Sequence, residues 1–258
     1  MQVLVINGSY RAEGTTTQLA RAFMEGVHAA GGTAEMVLLR EQTIAPCTNC
    51  LKCYTHEGDG LAPCSICDDM DGILERLAAA DGILFASPVH CGFVTGLMTV
   101  FHERLVWRTL RPGPPIAGMA GLQSRLDDNV RAIGSIVSAG GMTERLRSGC
   151  DDGTRWLKGN LPLEFHGQWI GDQYAGADLE RLPENDRDWK RLYHLRRISP
   201  RQLDEARRLG GTMVRALRAG RLRPVTMQTL IPRPVQWICK AWSLFSPHYK
   251  LAHPGKSP

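Results

Sequence analysis

Residues 3–17 read Val-Leu-Val-Ile-Asn-Gly-Ser-Tyr-Arg-Ala-Glu-Gly-Thr-Thr-Thr, and this stretch decides the fold. The apolar run at 3–6 is typical of a strand that is buried on both faces. A loop of glycine and hydroxyl residues follows and leads into apolar positions at helical spacing, from Leu19 to Val27. A strand, a loop and a helix in this order predict the first unit of a doubly wound parallel sheet.

Four more segments continue the alternation of strands and helices. Residues 34–39, 82–86, 131–138 and 164–170 are predicted to form further strands. The helical segments begin near the Asp68-Asp69 pair, after Gly92, near Thr143, and at the capping box that Ser199 opens. We therefore predict an α/β fold with a five-stranded, doubly wound parallel sheet, in which ligands bind at the carboxyl ends of the strands.

Three regions lie outside this pattern. Residues 108–129, rich in Pro, Gly and polar groups, are predicted to form an insertion or a long loop, and residues 171–198 are charged and irregular. Residues 221–258 form a proline-rich C-terminal extension to a domain of residues 1–220. The apolar side chains of the extension are expected to pack on the domain or on a partner subunit, with a membrane-surface or redox-partner patch as the alternative. They are Trp237, Ile238, Trp242, Leu244 and Phe245, and Cys239 beside them is expected to be an inert thiol.

The composition excludes several classes of protein. The formal net charge is +5, from 31 Lys and Arg against 26 Asp and Glu scattered along the chain. This small positive charge indicates a mild preference for anionic ligands, and it predicts no nucleic-acid partner. No run of 18 apolar residues predicts a membrane span, and a strand at the very N-terminus leaves no room for a signal peptide. We therefore expect a cytoplasmic protein with reduced cysteines.

Five of the eight cysteines lie within residues 43–71, here called the cysteine loop. They are Cys47, Cys50, Cys53, Cys64 and Cys67. The first three follow each other at two-residue spacing, so that one backbone turn can point three sulfurs at a common centre. Thiolates are soft ligands that suit iron–sulfur clusters and zinc.

The cysteine loop allows more than one interpretation. A [4Fe–4S] cluster would take Cys47, Cys50 and Cys53, with Cys64 or Cys67 as the fourth ligand. Zinc would take two pairs, for example Cys47/Cys50 with Cys64/Cys67. The triple run favours the cluster, because zinc needs only two cysteines from each pair. Free thiols without a metal are a further alternative, whereas a disulfide framework is typical of short secreted domains.

The loop after the first strand has the groups that a phosphate needs. It lacks the lysine of a Walker loop and the spacing of a dinucleotide-binding motif. Arg11 adds positive charge, Gly14 allows close approach, and the helix that follows adds the dipole of its N-terminus. The hydroxyl donors are those of Ser9, Thr15, Thr16 and Thr17. The alternative is an ordinary helix cap and turn.

Two loops after later strands offer surfaces for a planar ring. Residues 87–92, Ser-Pro-Val-His-Cys-Gly, form a rigid turn of flat and small groups. Gly140 and Gly141 allow close backbone approach to the same ring. The alternatives are a surface histidine for His90 and a small packing residue for Cys91. All three loops follow strands, so we expect them to converge on one rim of the sheet.

These motifs together resemble a known family. Residues 3–11 with Gly14-Thr15-Thr16 resemble the opening of the flavodoxin-like FMN reductases. With the Cys47-x-x-Cys50-x-x-Cys53 run, the Cys64–Met70 motif and residues 82–92, the chain is similar to the iron–sulfur flavoprotein branch of that family. The resemblance is close over residues 1–107 and loose over residues 130–220.

The resemblance implies a set of binding residues. The FMN phosphate would be held by Ser9, Arg11, Thr15, Thr16 and Thr17. The isoalloxazine would be lined by Pro88, Val89, His90, Cys91 and Gly92, with Gly140 and Gly141 near its pyrimidine edge. A [4Fe–4S] cluster close to the flavin would be bound by Cys47, Cys50, Cys53 and Cys64. Dimers or tetramers are also implied, in which the flavin of one subunit approaches the cluster of another.

The chain departs from the family pattern at three places. The gap from Cys53 to Cys64 is longer than usual, and Cys67 is an additional cysteine that can take the fourth ligand position. His90-Cys91 stands where many members have an aromatic pair, so His90 and Cys91 are expected to tune the flavin.

These features predict an FMN-dependent oxidoreductase that passes electrons between FMN and a [4Fe–4S] cluster to an acceptor that the sequence does not name. The expected donor is NAD(P)H or a ferredoxin-type redox partner. A cluster-free NAD(P)H-dependent FMN, quinone or azo reductase is one alternative. A non-enzymatic redox or metal sensor, acting through its C-terminal extension, is another.

Overall fold

A central parallel sheet organises the computed structural model, which describes residues 1–116, 119–126, 128–176, 178–232, 234–235 and 237–238. The strands are β1 (Gln2–Asn7), β2 (Thr33–Leu38), β3 (Gly82–Pro88), β4 (Leu110–Ile116), β5 (Met119–Ser124), β6 (Arg131–Ser138), β7 (Gly167–Ala175), β8 (Asp178–Leu179) and β9 (Arg196–Arg197). The α-helices are α1 (Thr15–Ala29), α2 (Met70–Ala79), α3 (Gly96–Thr109), α4 (Asp152–Glu164), α5 (Asp186–Lys190), α6 (Pro200–Ala219) and α7 (Met227–Leu230). Short 3-10 turns lie at Leu39–Glu41, Glu144–Gly149 and Leu192–His194.

The five strands of the sheet follow the order β2-β1-β3-β6-β7, and every neighbouring pair is parallel. The chain moves outward from β1 to β2, returns to β3, and continues to β6 and β7. The direction of winding reverses between β1 and β3, which is where ligands bind in flavodoxin-like sheets. The predicted α/β fold with a five-stranded parallel sheet is thus confirmed.

Helices cover both faces of the sheet. On one face α2, α3 and α4 pack on alternate strand residues such as Leu4, Ile83 and Phe85. On the other face α1 and α6 pack on residues such as Val3 and Leu84. The central strands β1, β3 and β6 therefore bury both of their faces, and this explains the apolar runs of β1 and β3.

The boundaries of several elements differ from the predictions. The strand expected at 131–138 is observed with those bounds, but the one expected at 164–170 is observed at Gly167–Ala175. The helix expected at 143–157 is a 3-10 turn followed by α4. Within 171–198, the later part of β7 and the short elements β8, α5 and β9 replace an irregular segment.

Residues 108–129 are more ordered than an insertion or long loop. Helix α3 continues to Thr109, and β4 and β5 then form an antiparallel hairpin in which Leu110 pairs with Ser124. Pro112 and Pro114 lie in β4, which has only one neighbouring strand. A proline is tolerated at such an edge because its missing N–H faces away from the partner strand.

The first residues of the C-terminal extension lie against the sheet. Val225 N donates to Gly167 O at 3.0 Å, and Arg223 N donates to Gln168 Oε1 at 2.7 Å, both at the edge strand β7. Cys239, Trp242, Leu244 and Phe245 lie outside the described residues. None of the described helices has the length and apolar character needed to cross a membrane.

Candidate flavin and cluster site

A cavity of about 550 Å³ opens at the carboxyl ends of β1, β3 and β6. This volume is within the usual range for small-molecule and cofactor sites. Its walls bring together ten of the predicted cofactor residues: Ser9, Arg11, Gly14, Thr15, Thr16, Pro88, Val89, His90, Cys91 and Gly140. Thr17, Gly92 and Gly141 are not among the described residues that line it. The three predicted loops therefore meet at one rim, as the parallel strand order requires.

The N-terminus of α1 faces this cavity, and no acidic side chain of its first turn occupies the free N–H groups. Gly14 is the N-cap residue and makes no side-chain cap, and the first turn of α1 contains no acidic residue. The first N–H groups of a helix lack intrahelical partners and carry partial positive charge. Because Arg11 lines the same wall, the site has the donors and the charge that a phosphate group requires.

Internal hydrogen bonds hold the phosphate-type loop in shape. Asn7 Oδ1 accepts from Ser9 N at 2.9 Å, and Ser9 Oγ accepts from Arg11 N at 3.1 Å. Thr17 points inward, where its hydroxyl accepts from Asn7 Nδ2 at 3.0 Å and donates to Arg11 O at 3.2 Å. Thr17 thus shapes the loop from below, whereas it was predicted to contact the phosphate itself.

The second wall is a tight turn at His90–Phe93. The two ends of the turn exchange backbone hydrogen bonds of 2.8 and 3.0 Å. The central residues Cys91 and Gly92 have φ of 50° and 79°, which matches a type I′ turn. A positive φ is unusual for cysteine, so the turn holds Cys91 in a demanding conformation at the mouth of the cavity. Asp152 N donates to Gly92 O at 2.9 Å and joins the turn to α4.

The cavity has three lining residues that the sequence analysis did not select. Tyr10 stacks on His90, with ring centroids 5.7 Å apart and planes at 13°. The hydroxyl of Ser138 lies 2.7 Å from that of Thr16 and joins the end of β6 to α1. Arg196 comes from β9. Ser138 could have been found as the last residue of a predicted strand, but nothing in the local sequence of Arg196 points to this site.

Buried arginines anchor the cysteine loop to the domain. Arg104 of α3 forms a bidentate ion pair with Asp68, with N–O distances of 2.6 and 3.1 Å. The exposed fractions of the two side chains are only 1% and 5%. Arg108, one turn further along α3, donates to Ala62 O at 2.8 Å. Arg125, just after the hairpin, donates to Gly58 O at 2.8 Å and Leu110 O at 3.1 Å. These residues connect the cysteine loop to α3 and to the β4–β5 hairpin.

The ion pair also sets the charge state of Asp68. Burial favours the neutral acid, but hydrogen bonds from Arg104 and from the backbone N–H groups of Ala45 and Met70 outweigh it and lower the pKa of Asp68. A carboxylate and a guanidinium therefore remain paired beneath the cysteines.

Within the cysteine loop, the Cys53 thiol interacts electrostatically with the thiols of Cys64 and Cys47. Burial raises the pKa of the Cys53 thiol, and the neighbouring thiols of Cys64 and Cys47 raise it further. N–H groups point at two of these sulfurs, since Asn49 N donates to Cys47 Sγ and Ile66 N donates to Cys64 Sγ, each at 3.4 Å. Hydrogen bonds to sulfur are a feature by which proteins adjust iron–sulfur centres.

Cys50 and Cys67 are more exposed than Cys53 and Cys64. The Ser65 hydroxyl lies 3.0 Å from Cys50 Sγ and, with the N–H of Lys52, lowers the pKa of the Cys50 thiol. Within the ranges that the structure describes, no three His, Cys, Asp or Glu side chains converge closely enough to hold a metal ion as they stand. The loop therefore groups the predicted ligands in one region without closing them into a coordination shell.

Comparison with known proteins places these features in a family context. A family model described as NADPH-dependent FMN reductase matches residues 1–143. An iron–sulfur flavoprotein of Methanocaldococcus jannaschii is 37% identical over 113 residues, which are 44% of this chain and 55% of that protein. An iron–sulfur flavoprotein of Methanosarcina thermophila is 31% identical over 106 residues, which are 41% and 53% of the two chains. The chain thus spans about half the length of the curated relatives it matches.

Solved structures share the fold at lower sequence identity. An NAD(P)H:quinone oxidoreductase from Methanothermobacter marburgensis superposes with a TM-score of 0.56 at 18% identity, over 82% of this chain and 98% of that one. An azoreductase superposes with a TM-score of 0.56 at 14% identity, over 82% and 99%. These similarities establish the flavodoxin-like fold.

Proposed function

The chain belongs to the NADPH-dependent FMN reductase family, and from that premise we propose that it is a flavin-dependent oxidoreductase with FMN in the cavity at the end of β1, β3 and β6. The observation that carries this proposal is the convergence of an open helix N-terminus, Arg11 and the His90–Phe93 turn on one cavity of about 550 Å³. Its size and its donors fit a phosphate joined to a planar ring.

In this proposal, different residues of the cavity bind the phosphate and the ring of FMN. The N–H groups at the start of α1 and Arg11 hold the phosphate, while the Ser9 hydroxyl, which donates to Arg11 O at 3.1 Å, keeps the loop in shape beside it. The wall from Pro88 to Cys91 lies along the ring, and Gly140 allows the backbone to approach it. The stacked Tyr10 and His90 add an aromatic surface to the cavity wall. FMN, when bound, supplies both one-electron and two-electron chemistry, while these residues orient it and set its polarity.

We further propose that Cys47, Cys50, Cys53 and Cys64 bind a [4Fe–4S] cluster. The proximity of Cys47, Cys53 and Cys64, and the N–H groups aimed at Cys47 and Cys64, support this ligand set. Arg104 Nη2 lies 3.5 Å from Cys64 Sγ, which favours Cys64 over Cys67 as the fourth ligand. Two curated relatives are themselves named iron–sulfur flavoproteins. Such a loop suits a reducing cytoplasm.

In this proposal the protein exchanges electrons between a two-electron and a one-electron centre. NAD(P)H is the donor that the family description suggests. A ferredoxin-type donor stays a prediction from the sequence alone, as does assembly into dimers or tetramers.

The first test is an anaerobic absorption spectrum of the purified chain, with iron, zinc and sulfide counted per FMN. Flavin bands on a broad cluster absorption, with about four iron and four sulfide per chain, are expected. Flavin bands without iron would leave a cluster-free reductase. That alternative is favoured by the resemblance to a Bacillus subtilis protein named a putative NAD(P)H-dependent FMN-containing oxidoreductase, 31% identical over 112 residues. Absence of flavin would contradict the proposal as a whole.

A matched pair of cysteine variants tests the fourth ligand. Cys64→Ser should lose most of its iron because the variant lacks a thiolate beside Cys53, whereas Cys67→Ser should keep its iron. FMN content should stay the same in both, since neither residue lines the cavity. Iron lost from Cys67→Ser and retained in Cys64→Ser would reverse the assignment.

A further inference from the structure

Arg196 is the residue of the flavin cavity that comes from furthest along the chain. It lies in β9, well beyond residues 1–143 that the family model matches. Its side chain nevertheless lines the same cavity as Ser9, Arg11 and Thr16. The late segment of the chain therefore adds a positive charge to a site that the first half of the chain builds.

Hydrogen bonds fix the position of the Arg196 guanidinium. Its Nη2 donates to Ala175 O at 3.1 Å, and the same carbonyl accepts from Ala139 N at 3.0 Å. Ala139 follows Ser138, whose hydroxyl contacts Thr16 in the first turn of α1 at 2.7 Å. This chain of contacts connects Arg196, through the ends of β7 and β6, to the first turn of α1.

Arg196 forms no ion pair in the described part of the chain, and Asp178 of the neighbouring strand β8 attracts it only from beyond contact distance. None of the ion pairs found there includes Arg196, and its Nε is buried without a hydrogen-bond partner. Burial lowers the pKa of Arg196 to about 10, so the guanidinium remains protonated at neutral pH. A desolvated cation with an unpaired N–H is costly unless an anion pairs with it.

We propose that Arg196 is a second arginine for the FMN phosphate, which it flanks together with Arg11 at the N-terminus of α1. This inference rests on the proposed FMN site. A phosphate monoester carries more than one negative charge at neutral pH, and a planar guanidinium can donate two parallel hydrogen bonds to it. The described walls of the cavity contain no Asp or Glu that would compete for the two arginines. Arg196 would thereby couple the β8–β9 segment to cofactor binding.

The test compares Arg196→Gln with Arg197→Gln, which removes the exposed neighbouring arginine of the same strand. The full-length chain, freed of its flavin, is titrated with FMN and with riboflavin, which lacks the phosphate. Arg196→Gln should bind FMN about 10- to 100-fold more weakly, the usual effect of losing a hydrogen bond between charged groups. Its affinity for riboflavin should stay that of the unaltered chain, and Arg197→Gln should change neither affinity.

The outcomes separate this inference from the proposed function. Unchanged FMN affinity in Arg196→Gln would overturn it, and so would equal losses for FMN and riboflavin, which would indicate a role at the ring or in folding. A thermal unfolding curve of the flavin-free variant identifies the folding case, and Arg196→Lys, which keeps the charge, should recover part of the FMN affinity. If the unaltered chain fails to bind FMN, the proposed function itself is wrong.

Discussion

At the scale of single residues, the Arg104–Asp68 pair determines how firmly the cysteine loop is held. Both side chains are almost fully buried, and Arg104 Nη2 lies 3.5 Å from Cys64 Sγ. Arg104 was not selected from the sequence, and Asp68 was named there only as a candidate helix cap and as part of the Cys64–Met70 motif. The local sequence around Arg104 predicts a helix but does not indicate an ion-pair partner 36 residues away. The contact becomes visible only when α3 is placed against the start of α2.

Removal of Arg104 should destabilise the protein strongly. Arg104→Met leaves the Asp68 carboxylate buried and unpaired, which typically costs about 3–5 kcal/mol. Guanidinium unfolding of the FMN-saturated protein measures the loss. Arg111→Met is the matched control because its partner Asp59 is 99% exposed, and an exposed pair is worth at most about 1 kcal/mol.

A second variant identifies the cause of the loss. The double variant Arg104→Met with Asp68→Asn carries no stranded charge, so it should regain part of the lost stability. Equal stability of Arg104→Met and Arg111→Met would show that the buried pair does not anchor the loop.

At the scale of elements, the accuracy of the sequence predictions depends on burial. β1 and β6 were predicted closely because both of their faces are buried, so that β1 has a continuous apolar run and β6 has apolar or small residues at all positions but Arg131. β7 was predicted several residues too early, since it lies at the edge of the sheet and much of it is only partly buried. The β4–β5 hairpin was missed because its prolines and glycines resemble a loop.

Helix α6 was predicted from its capping box, which the structure shows in full. The closeness of its contact with α1 was not predictable from periodicity. A Cβ atom added at Gly210 would lie 2.1 Å from Phe23 O, and one at Gly26 would lie 2.0 Å from Arg207 O. These two glycines allow the backbones of α1 and α6 to approach each other.

Substitution of Gly210 by Ala should therefore force the two helices apart. Overpacking of this kind lowers the free energy of unfolding by about 1–3 kcal/mol. The added methyl group would meet backbone atoms, which cannot move aside as a flexible side chain can. Gly72→Ala in α2 is the control, because no neighbouring atom lies within 4 Å of its added Cβ. Alanine there should stabilise the protein by about 0.5–1 kcal/mol. Urea unfolding of both variants measures the difference, and a neutral Gly210→Ala would contradict the close contact.

At the scale of the whole molecule, the loops that line the cavity were predictable from the sequence. The arginines that distant segments bring to the cavity and to the cysteine loop were not. Ten lining residues followed from loops that come directly after strands, because the topology of parallel sheets gathers such loops. Arg196 and the arginines around the cysteine loop reach their sites from distant segments. Their roles depend on tertiary contacts that leave no periodic trace in the sequence.

Two parts of the C-terminal extension differ in their surroundings, namely the segment at residues 223–225 and the pair Trp237 and Ile238. Val225 and Arg223 bond to the edge of the sheet, whereas Trp237 and Ile238 are 75% and 58% exposed. Exposed apolar side chains grouped in this way are typical of a surface that another chain covers. Because residues 223 and 225 bond to β7, we propose that the docked part of the chain continues beyond the predicted boundary at residue 220, as far as Pro232.

Chains that end after Pro232 and after Gly220 should behave differently. The longer one keeps the docked segment, so we expect unchanged FMN affinity and unfolding free energy, but a smaller oligomer by analytical ultracentrifugation because Trp237 and Ile238 are removed. The shorter one also exposes the edge of β7 and should lose about 1–2 kcal/mol, the net contribution of roughly two hydrogen bonds. If the chain that ends after Pro232 keeps the oligomeric state of the full chain, the extension does not join subunits. In that case Trp237 and Ile238 must serve a different partner.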